Sequence, residues 1–107
     1  HGYQVEIDPS DRKWTGGLYD EARRGWLFPL DGRPTEQDAF RQDEWNHFRI
    51  EARGDHIRTW VNGVLVTDLI DPLTPRGFIA LQVHSVSDEN VGLGVQWRGI
   101  RIKELRR

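Results

Sequence analysis

The run "DHIRTWVNGVLVTDL", residues 55 to 69, constrains the fold more than any other stretch of the chain. Two alternating segments flank Asn62–Gly63, a pair of residues that both tolerate positive φ. A two-residue type I′ turn needs that conformation at both central positions, so the spacing predicts a tight hairpin pairing Val61 with Val64. Nearby segments repeat the period of two. "NHFRIEAR" sets Phe48, Ile50 and Ala52 against His47, Arg49, Glu51 and Arg53. "YQVEID" sets Tyr3, Val5 and Ile7 against Gln4, Glu6 and Asp8.

"GFIALQVHS", from residue 77, and "GVQWRGIRIKEL", from residue 94, read as further strands, the second changing phase at Gly99 as a bulged or bent strand does. The stretch "LYDEARRGWLFPLDGRPTEQDAF", from Leu18 to Phe40, has weak periodicity. It reads as a long functional loop with one short helix near Thr35–Phe40, started at Pro34–Thr35. At least five antiparallel strands and no long helix predict an all-β domain, a sandwich or jelly roll.

The 107 residues suffice for one small domain, expected to span residues 1–107. A formal net charge of −2 leaves no basic excess for releasing counterions from a nucleic acid, and no apolar run reaches membrane-spanning length. Neither nucleic acid nor membrane is therefore an expected partner. Cysteine is absent, which excludes disulfides, thiolate metal sites and cysteine nucleophiles. Methionine is absent too, so the chain does not begin at a start codon and an upstream segment is expected.

Candidate chemistry gathers on the polar face of "YQVEID", which carries an amide and two carboxylates with no basic residue between them. Gln82 and His84 share a face of a later expected strand. If the two strands are neighbours, these groups converge; they could then bind sugar hydroxyls, hold a divalent cation through Glu6 and Asp8, or run general acid–base chemistry. Each residue taken singly also fits an ordinary solvated surface. Among five tryptophans, Trp97 reads as core, Trp60 as cover for an outer sheet face, and Trp45 as a packing residue. Trp14 and Trp26 fall in expected loops, where they either stack on sugar rings or plug the ends of a sandwich. No phosphate loop, HExxH or GxSxG motif occurs, and no histidine pair has metal-ligand spacing.

Five ordered blocks, "GYQVEID", "WTGGLYDEARRGWL", "WNHFRIEARGDHIRTWVNGVLVTDL", "RGFIALQVHS" and "WRGIRIKEL", together resemble the 3-keto-disaccharide hydrolase domain, formerly a domain of unknown function. The resemblance implies a concanavalin-A-like jelly roll of curved antiparallel sheets and hydrolysis or β-elimination of 3-keto-glycosides. It also implies a bacterial protein exported to the periplasm or beyond. Family domains carry further strands before the "GYQVEID" block. The chain is thus similar to the C-terminal part of the domain, and an incomplete edge is expected to pair with those strands or with a second copy of the chain.

The chemistry implied for the site makes Glu6 and His84 the titratable pair. Asp8 would orient His84 or ligate a cation, Gln4 and Gln82 would hold hydroxyls, and Tyr19, Arg24 and Trp26 would contact substrate. A non-catalytic carbohydrate-binding module is the alternative reading, since jelly rolls often bind sugar without transforming it.

Overall fold

The structure, a computed structural model, describes residues 1–82 and 94–105. Among these residues six strands form two three-stranded antiparallel sheets, each a simple meander. The first contains β1 (Gly2–Val5), β2 (Leu18–Glu21) and β3 (Gly25–Phe28). The second contains β4 (Phe48–Arg53), β5 (His56–Val61) and β6 (Val64–Ile70). One four-residue helix, α1 (Pro34–Gln37), lies between the sheets in sequence, with Pro34 in its first turn. The protein is an all-β sandwich, as the alternating pattern requires, and no helix among the described residues is long and apolar enough to cross a membrane.

The second sheet follows the sequence pattern closely. Val61 pairs with Val64 across Asn62 and Gly63, whose φ values are 50° and 81°. Asn62 does more than turn the chain. Its Oδ1 accepts from the His47 backbone N–H at 2.9 Å, and its Nδ2 donates to the Ala39 carbonyl at 2.8 Å, tying the hairpin tip to the segment after α1. On the inner face Ile57, Thr59, Val61, Val66 and Thr67 are buried. On the outer face Trp60 lies between the guanidiniums of Arg49 and Arg58, at 5.0 and 5.5 Å from its ring centre. Glu51 is clamped there by Arg58 at 2.6 Å.

The layers meet through backbone. A Cβ on Gly16 would stand 2.8 Å from Val61 Cγ2 and 3.0 Å from Val66 Cγ1, so only glycine lets the chain approach this closely. The Gly16 carbonyl accepts hydroxyl hydrogen bonds from Thr59 at 2.7 Å and Thr67 at 2.8 Å. Around this joint Leu30, Ala39, Val61 and Val66 make the core, flanked by Trp14, Phe28, Phe40, Phe48 and Val64.

Three expectations are corrected. The segment from Leu18 to Phe40 is not one long loop, because β2 and β3 form a hairpin there. Its turn, Ala22 to Arg24, lacks the Asn-Gly signature and is held instead by the fully buried Asp20, which binds Arg23 Nε at 2.7 Å and Arg24 Nε at 2.5 Å. The described parts of the two C-terminal segments, residues 77–82 and 94–105, contain no strand. Alternation makes a ribbon amphipathic, but a strand also needs a partner edge for its backbone groups. Trp97 is consequently 36% exposed rather than core, and Trp45 is half exposed, with Arg98 4.0 Å above its ring.

Candidate functional site

The first sheet sorts its side chains cleanly. Register pairs Gln4 with Tyr19 and Tyr19 with Trp26, so these three share a face, while Tyr3 pairs with Asp20 on the other. Backbone pairing runs past the end of β1, with Glu6 N–H donating to the Gly17 carbonyl at 3.0 Å and Gly16 N–H donating to the Glu6 carbonyl at 2.8 Å. That extension keeps Glu6 in phase with Gln4, and Gln4 Nε2 donates to Glu6 Oε2 at 3.4 Å. The Gln4 Oε1 acceptor is buried and has no partner among the described residues.

Beside this amide–carboxylate pair stand three aromatic rings. Trp26 meets Tyr19 edge-on at 5.1 Å between centroids, and Trp14 at 4.8 Å with the ring planes 84° apart. Gly17 makes room for this stack, since a Cβ there would lie 2.8 Å from the Phe28 carbonyl and 3.4 Å from the Trp26 ring. Trp26 belongs to β3 rather than a loop. Trp14 lies in a loop, as expected, and packs on the core while meeting Trp26 edge-on.

Asp8 is buried below the cluster and fully engaged. Its Oδ1 accepts from the Ser10 hydroxyl at 2.5 Å, and its Oδ2 accepts from Arg12 Nε at 2.7 Å and Trp14 N–H at 3.1 Å. Burial opposes ionisation of Asp8, yet the bonds from Ser10, Arg12 and Trp14 outweigh it and hold the carboxyl below its ordinary range. An oxygen pair so committed does not fit a divalent cation shared with Glu6. Among the described residues no group of three or more potential metal ligands assembles.

The remaining expected residues lie elsewhere. Arg24 Nε bonds Asp20, and its two terminal nitrogens bond Asp71 at 2.8 and 3.1 Å. Asp71 also accepts from the Tyr3 hydroxyl. Bonds from Arg24 and Tyr3 hold the Asp71 carboxyl far below the usual carboxylate range, and the same salt bridges raise the Arg24 guanidinium further above its own. This network ties the first sheet to the loop after β6, on the face that Tyr3 and Asp20 occupy. A cavity of about 280 Å³ opens there, with Tyr3, Arg53, Asp71, Thr74 and Glu104 in its wall. Its Tyr3 and Asp71 groups already satisfy each other, so its chemistry is that of a brace. Gln82 is exposed and outside any strand, and His84 lies outside the described residues.

Sequence reasoning missed Arg12. Its guanidinium carbon sits 4.6 Å from the centre of the Trp14 ring and 4.9 Å from that of Trp26. The only sequence signal was the short spacing from Arg12 to Trp14, within a stretch that reads as a plain turn. The face therefore joins Gln4, Glu6, Tyr19 and Trp26 with Trp14 and Arg12: an acceptor, a carboxylate, aromatic surface and a cation.

Among curated proteins, none matches the chain. The family model described as a 3-keto-alpha-glucoside-1,2-lyase-like domain matches residues 1–103, so the chain belongs to that carbohydrate-active family.

Proposed function

We propose that the domain acts on 3-keto-glycosides by β-elimination, with hydrolysis following where water adds to the product. The observation that carries this reading is the Glu6 carboxylate held beside the Gln4 amide next to the Tyr19–Trp26–Trp14 cluster. A ketone at C3 acidifies the C2 proton. Glu6 takes that proton, and the C2–H electron pair passes into an enolate on the C3 oxygen. The enolate collapses to a C1–C2 double bond as the C1–O bond breaks, and the leaving oxygen takes a proton from an acid, the role assigned to His84. Gln4, an amide beside Glu6 that both donates and accepts, suits a sugar hydroxyl.

The test compares a 3-keto-glycoside with its unoxidised parent. The wild-type domain should release the aglycone only from the keto sugar. Glu6→Gln keeps size and hydrogen bonding while removing the base, and should lower kcat by roughly 10²- to 10⁴-fold with binding retained. His84→Ala should slow the same step. A second reading, a carbohydrate-binding module without chemistry, is favoured by the aromatic surface alone. Calorimetric binding of the keto sugar with no aglycone release would establish that reading instead.

A further inference from the structure

The indoles of Trp14 and Trp26 stand nearly perpendicular, and the Arg12 guanidinium lies over both. A sugar ring cannot stack on those two surfaces without displacing it. Arg12 is also held from behind: Nε donates to Asp8 at 2.7 Å, its own N–H donates to Ser10 Oγ at 3.3 Å, and its carbonyl accepts from Gln37 Nε2 at 3.1 Å. Among the described residues neither terminal nitrogen of Arg12 has a hydrogen-bond partner, and the side chain is 44% exposed. A guanidinium anchored at Nε and supported on two rings presents its outer edge in a fixed direction.

We propose that Arg12, rather than the indoles beneath it, is the ligand-contacting group at this end of the site, and that it selects a carbonyl oxygen over a hydroxyl. The inference rests on the reading of this face as a 3-keto-sugar site. Arginine donates and never accepts. A ketone oxygen accepts and has nothing to donate, so the two match fully, whereas a hydroxyl meeting the guanidinium leaves its own proton to find another partner. Gln4 and Tyr19, which both donate and accept, suit hydroxyls. The ketone is also the atom on which negative charge grows when the C2 proton leaves, and a charge-assisted bond strengthens as that happens. The two indoles act as positioning residues for the guanidinium.

Binding of a 3-keto-glucoside and of its parent glucoside is measured by calorimetry in the Glu6→Gln background, alone and combined with Arg12→Lys or Arg12→Gln. Turnover is measured in the Glu6 background. Arg12→Lys keeps the charge beside Asp8, so it separates loss of the fork from loss of the loop, and thermal melting reports on folding. The expected result is keto-sugar binding at least about tenfold tighter than the parent, a preference lost in both Arg12 variants while parent binding persists. In turnover, kcat should fall more than KM rises. Trp26→Phe should weaken the preference less than Arg12→Gln does. Equal binding of the two sugars by the Glu6→Gln protein, or a preference unchanged in the Arg12 variants, overturns the proposal. A preference that depends on Arg12 in a protein releasing no aglycone keeps this proposal and overturns the catalytic reading.

Discussion

The two sheets of this protein are built by different means. The second is held by backbone: strands of six and seven residues, joined across Asn62–Gly63 by a turn whose type its sequence announces. Each sheet carries one register shift, after Leu18 in the first and between Thr59 and Trp60 in the second, but the first has strands of only four residues and its loops are fixed by buried carboxylates. Asp8 gathers Ser10, Arg12 and Trp14, while Asp20 gathers Arg23 and Arg24. Hydrogen-bond ladders make a sheet regular, whereas charged side-chain ties let a short sheet hold irregular loops in fixed places. The candidate site lies on the second kind.

That contrast can be broken most forcefully where the sheets touch. Gly16→Ala should destabilise the domain by about 2–4 kcal/mol, because it adds a Cβ 2.8 Å from Val61 Cγ2 at a φ of +88°. Urea unfolding measures the loss, and an unchanged midpoint would show that the layers do not meet as described.

Acid should act selectively, with a smaller effect at first. Asp8, Asp20, Glu51 and Asp71 all ionise more readily in the folded state than ordinary carboxyls do. Groups with depressed values contribute stability above their unfolded values and lose it as pH falls through the folded ones. Stability should therefore hold near neutrality and decline below about pH 4. Because three of the four carboxylates brace the first sheet or its loops, hydrogen exchange at acidic pH should rise in residues 2–28 before it rises in β5 and β6. Simultaneous opening of both sheets would erase the distinction. Tyr3 titrates in the opposite sense: burial and the Asp71 hydrogen bond raise its value, so its contribution is complete below about pH 10 and is lost above it.

The smallest effect belongs to the hairpin tip. Gly63→Val meets open space, so its cost is conformational alone, about 1–2 kcal/mol for a β-branched residue at φ +81°. A loss as large as that of Gly16→Ala would mean that the tip has a packing role.

What could be read from sequence follows the same division. Asn62–Gly63 and the alternation around it defined β5, β6 and the pairing of Val61 with Val64, since local backbone chemistry carries that information; the register shift between Thr59 and Trp60, which turns both Val66 and Thr67 inward, left no such mark. The hairpin of β2 and β3 was hidden because Asp20, a buried charge, sits where the pattern calls for an apolar residue, and because Arg23 and Arg24 close its turn through side chains. Gln4 and Glu6 could be placed on one face by parity alone. Arg12 could not, since its position depends on a loop ring, Trp14, meeting Trp26 of β3 across a hairpin that the sequence did not reveal. The C-terminal segments show the converse, with strand-like alternation and no strand among their described residues.

The Gly16 carbonyl has one further consequence. Layers in contact only through methyl groups are free to slip sideways, since dispersion changes little with a small lateral shift. A single oxygen receiving two hydroxyls, one from each of two adjacent strands, works as a peg in a socket. Thr59 also accepts the Thr67 N–H at 3.1 Å, so the socket is keyed to the ladder of β5 and β6. Since Glu6 pairs directly with Gly16 and Gly17, the carboxylate proposed as the base inherits its alignment from a sheet on which it does not lie.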